Sequence, residues 1–299
     1  MHCIVHIGTN KTGSTSLQAA LAENRDALRQ QGFCYPKTGT LPTQRWRKHA
    51  GLRFALAPHM PAHPSKLTRT LGIDDETQRQ HYRERLIDGL LKEIHAAPAP
   101  HTVILSDEDY VNAAGRRPVN QLLEFLLEHF DRVTVIVYVR KLRPFLRSYY
   151  SQKIKQGYVQ NFEGCVRDFF ERPRLSKRLQ LWERNDPNYQ LLVNRYSAQD
   201  LAGGDIVQDF CSRFQIELAT ARPYRVNRSL SLSGLQWLRR INAWCAPALP
   251  PDWLRKVVIY LLRGDNRALL AQLPAELLQQ IDTEQQQLEH FIASNEESS

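Results

Sequence analysis

The chain is poor in the features that staple a protein or anchor it. It has five cysteines among 299 residues, Cys3, Cys34, Cys165, Cys211 and Cys245, scattered and odd in number. No Cys-x-x-Cys spacing occurs, so neither a disulfide framework nor a zinc site is expected, and no metal is called for. No apolar run reaches the length needed to span a bilayer. The first apolar strand begins almost at once, at Cys3, which leaves no stretch that reads as a signal peptide. A soluble protein in a reducing, cytoplasmic compartment is the expectation. Internal repeats and long low-complexity segments are missing too, as is any zinc-finger or RNA-recognition signature.

What is present is ordinary in bulk and distinctive in pattern. Hydrophobic residues make up 42% and charged residues 24%, as in a soluble globular protein. The formal net charge is +9, a surplus that suits an anionic partner. An anionic cofactor, an acidic glycan, an anionic membrane surface met peripherally, and nucleic acid are the options. Charge alone supports a non-catalytic basic nucleic-acid-binding protein as one alternative.

Strand and helix signals alternate through the first two thirds. An apolar run from Cys3 to Ile7 is followed by helical spacing at Leu17, Ala20, Leu21 and Leu28, out to about Gln31. Gly32 to Pro36 reads as a short second strand. Residues 37–74 read as irregular, and residues 75–95 as a helix. Thr102-Val103-Ile104-Leu105 reads as a buried strand. Pro118 and Pro144 are expected to open helices. Arg132 to Val139 is the strongest strand signal, and Gln190 to Asn194 gives one more. Beyond residue 197 the pattern is helical. The expected fold is α/β, P-loop-like and three-layered, with a central parallel sheet flanked by helices and a helical C-terminal portion. A single domain over 1–299 is expected, with an α/β nucleotide-binding core at 1–196 and a mostly helical completion at 197–299.

The most informative segment is His6-Ile7-Gly8-Thr9-Asn10-Lys11-Thr12-Gly13-Ser14-Thr15-Ser16. It reads as strand, tight loop and helix N-terminus, which presents amide donors and a positive dipole end to an anion. Gly8 and Gly13 allow close backbone approach. Lys11 and the hydroxyls of Thr12, Ser14, Thr15 and Ser16 add a charge and donors. The competing account is a glycine turn capped by Ser14 with no ligand. In the nucleotide P-loop a lysine follows the second glycine; here Ser14 stands there and the lysine lies inside the loop at position 11. A second anion site is expected where Arg140 leaves the strong strand, with Ser148 a turn into the following helix.

The order Lys11-Thr12-Gly13-Ser14-Thr15 after a strand resembles the 5′-phosphosulfate loop of sulfotransferases that use 3′-phosphoadenosine 5′-phosphosulfate (PAPS). The pairing of Arg140 with Ser148 eight positions on, followed by Tyr149-Tyr150, is similar to that family's 3′-phosphate motif. Lys141-Leu142-Arg143-Pro144 replaces its usual Arg-Asn/Asp-Pro. Arg225-Val226-Asn227-Arg228-Ser229-Leu230-Ser231 resembles a loop that closes over the nucleotide in soluble bacterial members, although Ser231 or Ser233 also suits a helix N-cap. The membrane anchor of many animal members is not expected here, since no run long enough to span a bilayer appears.

The resemblance implies transfer of a sulfuryl group from PAPS to a hydroxyl acceptor, leaving adenosine 3′,5′-bisphosphate. Lys11 would stabilise the bridging oxygen and the leaving phosphate. Residues Thr12, Gly13, Ser14, Thr15 and Ser16 would hold the 5′-phosphate, Arg140 and Ser148 the 3′-phosphate, and Arg228 and Ser229 would lie in the closing loop. Glu108 is the implied general base, with Asp107, Asp109 and His49 as other candidates. A glycan, a glycolipid or a small molecule is the implied acceptor, with no nucleic acid; Arg45, Arg47 and Lys48 would suit an anionic one. The main rival is an ATP-dependent kinase or NTPase, in which Val103 to Glu108 serves as a Walker-B-like strand.

Overall fold

The computed structural model describes residues 1–41, 47–61, 65–96, 100–112, 115–219, 230–246 and 250–296. In chain order the elements are β1 (His2–His6), α1 (Ser14–Glu23), α2 (Arg25–Gln30), β2 (Phe33–Cys34), α3 (Ala50–Ala55), α4 (Lys66–Leu71), α5 (Glu76–His95), β3 (Thr102–Ser106), α6 (Arg116–His129), β4 (Arg132–Val139), α7 (Leu142–Lys155), α8 (Phe162–Phe170), α9 (Leu175–Gln180), β5 (Tyr189–Arg195), α10 (Ile206–Phe214), α11 (Leu232–Cys245), α12 (Asp252–Leu261) and α13 (Ala275–Glu296). The chain forms two compact units. The first comprises 1–139, 178–223 and 292–299, the second 140–177 and 224–291. The expected division at 196/197 does not coincide with this partition, because α7 and α8 belong with the later helices.

The first unit is built on a five-stranded parallel sheet in the order β2-β3-β1-β4-β5. Its inner strands β1, β3 and β4 are buried on both faces, which is why β4 reads as a nearly continuous β-branched run rather than an alternation. Ile4, Ile104, Ile136 and Tyr138 pack on one face with Leu17 and Leu21 of α1, Leu28 of α2 and Phe210 of α10. The opposite face, with Val5, Val103, Leu105, Val135 and Val137, is equally buried, and α6 packs against β4. The expected α/β, P-loop-like arrangement of strand, glycine loop and helix is present, and it springs from the central strand β1.

The second unit has a helical core. Leu142, Leu146 and Ile154 of α7, Phe162 and Val166 of α8, Leu235 and Leu238 of α11, and Leu277 and Ile281 of α13 share one cluster. The first turn of α7 is held by α13: the Leu142 amide donates to Gln285 at 2.6 Å, and Arg143 grips Asp282 at 2.8 Å.

Two local expectations need correction, and one alternative is decided. Residues 37–74 are not wholly irregular, since they contain α3 and α4, two helices too short to show a period. Pro118 and Pro144 do not open their helices; each is the third helical residue, where an amide has no intrahelical partner to lose. Ser231 is the N-cap of α11, accepting from the Gly234 amide at 3.1 Å. No helix among the described residues is long and apolar enough to cross a membrane. The five cysteines are free; Cys245 is half-exposed and the other four are buried.

A buried carboxylate ties α10 to the sheet. Asp209 accepts from Tyr138 Oη at 2.8 Å, from Arg213 Nε at 2.6 Å and from the Ala202 amide at 3.1 Å. Asp209→Ala leaves a phenol, an amide and a guanidinium without their acceptor and is expected to cost about 3 kcal/mol. Tyr138→Phe removes one donor and costs about 1 kcal/mol. Urea-unfolding midpoints of the two variants check that ranking.

Candidate functional site

The loop after β1 is wound by backbone conformations that favour glycine. Gly8 and Gly13 have φ of 54° and 77°, and Lys11 adopts 69° without being glycine. A non-glycine residue in this region carries strain of order 1–3 kcal/mol and persists where its surroundings fix it. Both glycines are also walled in. A Cβ on Gly8 would lie 2.9 Å from Glu108 Cα, and one on Gly13 would lie 2.8 Å from Ile206 Cγ2 and 3.3 Å from Tyr196 Oη.

Gly13 occupies the N-cap position of α1, and no side chain caps the helix. Its carbonyl accepts from the Ser16 and Leu17 amides at 2.8 and 3.2 Å. The amides of Ser14 and Thr15 precede the first intrahelical bond, which leaves them as donors at the positive end of the helix.

The hydroxyls divide into two sets. Thr12 is buried and donates to the Thr9 carbonyl at 2.7 Å; Ser14 is buried and reaches the same carbonyl at 3.4 Å. Thr9 in turn donates to the Tyr138 carbonyl at 2.8 Å, so the loop is pinned to β4. The Thr12 hydroxyl therefore shapes the loop rather than facing an anion, a correction to the expectation that all the hydroxyls would face the phosphate. Thr15 is exposed, and Ser16, Lys11 and Gly13 are half-buried.

Beneath the loop lies a polar cluster centred on Ser106, the last residue of β3. Ser106 Oγ accepts from Gln18 of α1 at 3.1 Å and shares a hydrogen bond with His6 Nδ1 at 2.8 Å. The Ser106 amide donates to His49 Nδ1 at 3.0 Å, and its carbonyl accepts from the His49 amide at 2.8 Å. With Nδ1 accepting, the His49 ring proton is on Nε2, which meets the Pro36 carbonyl at 3.0 Å. Burial pulls His49 down to about 4, and His6 likewise. His49 is thus a neutral, doubly bonded structural imidazole with no nitrogen left to take a proton from an acceptor, and it drops out as a candidate base. Its loop position in sequence concealed that the side chain is fully buried.

Asp107, Glu108 and Asp109 follow Ser106 and meet two cations from the segment around α3. Lys48 Nζ lies 3.6, 3.7 and 3.0 Å from the three carboxylates in that order. Arg53 binds Asp107 at 2.8 Å and Asp109 at 3.6 Å. Asp107 is buried, and Glu108 keeps a quarter of its side chain exposed. Burial pushes the Glu108 carboxyl up; Lys48 pulls it back, and its acidic neighbours add to the rise. Sequence reasoning missed Arg53 and assigned Lys48 to an anionic acceptor, whereas Lys48 neutralises the acidic turn. Arg47, offered for the same role, pairs with Glu23 at 3.0 Å.

In the second unit, Arg140 directly follows β4 and is half-buried, and Ser148 is half-buried in the second turn of α7. Arg45, Arg225, Asn227, Arg228 and Ser229 lie outside the described residues.

No protein-family profile matches the sequence. An uncharacterized protein of Archaeoglobus fulgidus is 30% identical over 168 residues, which are 55% of this chain and 44% of that protein. The chain therefore spans less than half the length of that relative. Among solved structures, a sulfotransferase from Alicyclobacillus acidocaldarius matches over 89% of this chain and 98% of its own, at 14% identity and a TM-score of 0.42. A likeness of that size assigns neither fold nor activity.

Two outcomes test the site's construction. His49 has a lowered pKa when folded, near 4, against about 6.5 when unfolded, so the unfolded chain binds the extra proton between those values. Stability contributed by the neutral ring is complete above about pH 6.5 and falls toward pH 4. Chemical denaturation across that window is expected to show a slope shallower by about 1.4 kcal/mol per pH unit in His49→Asn than in the native chain. Gly13→Ala should cost about 1–3 kcal/mol through both clash and φ, read as a lowered melting temperature.

Proposed function

We propose that the protein is a sulfotransferase that moves the sulfuryl group of PAPS to the hydroxyl of a glycan, glycolipid or small molecule. The observation that carries this reading is the loop of residues 8–13, a left-handed turn with a lysine inside it, an uncapped helix N-terminus after it and the main chain of Glu108 against its first glycine. The amides at the start of α1, with the hydroxyls of Thr15 and Ser16, take the 5′-phosphate. Lys11 offsets the charge that develops on the bridging oxygen as the leaving phosphate departs. Arg140 and Ser148 are assigned the 3′-phosphate from their sequence spacing. In the transfer the acceptor oxygen bonds to sulfur, the bond from sulfur to the bridging oxygen breaks, and the acceptor proton passes to the Glu108 carboxylate. The products are a sulfate ester and adenosine 3′,5′-bisphosphate. A carboxyl raised by burial is closer to the pH at which general bases work best.

The NTPase reading is less well supported. Position 14 holds serine, and Asp107, which would bind magnesium in a Walker-B role, is buried and held by Arg53 and Lys48.

Adenosine 3′,5′-bisphosphate is expected to raise the melting temperature without magnesium, while ATP with magnesium leaves it unchanged; the reverse pattern rejects the proposal. Lys11→Ala is expected to lower label transfer from radioactive PAPS by about 10²-fold or more. The base requires an ionised carboxylate, so kcat/KM rises with pH through the Glu108 titration. Lys48→Met removes a charge that holds that titration down and should move the acid limb to higher pH; a stationary limb would reject Glu108 as the base.

A further inference from the structure

Six of the seven large apolar side chains that stand exposed among the described residues lie on α11 and α12. On α11 they are Trp237 and Trp244, two helical turns apart on one face, with Trp244 86% exposed. On α12 they are Trp253, Val257, Tyr260 and Leu261, at spacings of four, three and one, which form one stripe. The two helices pack against each other, and Val258 and Ile259 of α12 pack on the unit's core. Helix α12 is therefore apolar on both sides, one side seated on protein and the other bare. A bare stripe with two tryptophans and a tyrosine on neighbouring helices is more than scattered surface apolarity.

The charge around the stripe selects its occupant. Helix α11 carries Arg239 and Arg240 and no acidic residue, and α12 carries Arg255 and Lys256 against Asp252 alone, with Arg263 just beyond. A second copy of the same surface would bring these cations together, which disfavours self-association. Val257 and Leu261 offer nothing for a nucleobase to stack on. Tryptophan and tyrosine beside aliphatic residues, with the exposed cations Arg240, Lys256 and Arg263 on or just past the same helices and one exposed carboxylate, Asp265, beyond them, match the interface of a bilayer with anionic headgroups. We infer that the face formed by α11 and α12 docks on an anionic lipid surface, with its aromatic side chains entering the headgroup region and its cations meeting lipid phosphates.

The test is co-sedimentation of the full chain with mixed phosphatidylcholine–phosphatidylglycerol vesicles, beside pure phosphatidylcholine vesicles. Binding is expected to the mixed vesicles, weaker to the neutral ones, and to decline as salt is raised. Trp244→Ser combined with Trp253→Ser should weaken it by about tenfold or more. Arg240→Glu with Lys256→Glu should abolish the preference for the anionic lipid. These side chains are exposed or at the surface, and an unchanged melting temperature verifies that the variants fold. Absence of binding to the mixed vesicles overturns the inference, and so does binding that the tryptophan variant retains in full. A dimer in solution that the same substitutions split, without vesicle binding, assigns the face to a second copy. Binding of a single-stranded oligonucleotide without vesicle binding assigns it to nucleic acid.

Discussion

The hydrogen bonding of Ser106 at the carboxyl end of β3 holds the candidate site together. One residue with a hydroxyl, an amide and a carbonyl joins four parts of the chain: β1 through His6, α1 through Gln18, the start of α3 through His49, and its own strand. Buried polar groups of this kind are stable only when their partners are in place, and in that case they fix geometry more firmly than apolar contact does. The loop of residues 8–13 is suspended between this cluster on one side and the Thr9 bond to β4 on the other. Its left-handed turns at Gly8, Lys11 and Gly13 are held by those two attachments.

The acidic turn beside the loop shows how three adjacent carboxylates acquire different characters. Asp107 faces inward and is bound by Arg53 and Lys48. Asp109 is held below its usual range by the same two cations, against the opposing effect of burial. Burial raises the proton affinity of Glu108 above that of a free glutamate; Lys48, at the longest of the three distances, only partly offsets this, and the two acidic neighbours add to it. The residue against Gly8 is thus also the one whose proton affinity is raised.

Much of this was legible in the chain because local chemistry dictated it. The eight residues Arg132–Val139 form a strand within the expected bounds, since a β-branched run buried on both faces has no other stable home. The glycine loop was legible because two glycines and a hydroxyl run leave few alternatives after a strand. What escaped were features set by long-range partners. His49 looked like a loop histidine until Pro36 and Ser106 enclosed it. Arg53 carries no signal in the sequence, and Lys48 reads there as a cation for an anionic acceptor; β3 brings the acidic turn to both. Arg143 reads as an ordinary solvated helix-start cation, yet it grips Asp282 across more than a hundred residues of sequence. The helices α3 and α4 are too short for periodicity to reveal them.

The cysteines carry a practical consequence. Burial drives the Cys34 and Cys211 thiols up to about 11 and Cys165 to about 12, and Cys3 shifts in the same direction, so these four are poor nucleophiles at neutral pH. Cys245, half-exposed and adjacent to Trp244 at the end of α11, is the accessible thiol. The native chain therefore offers a site for attaching an environment-sensitive fluorophore with maleimide chemistry, and the dye's emission would report on the surroundings of that helix without any engineered substitution.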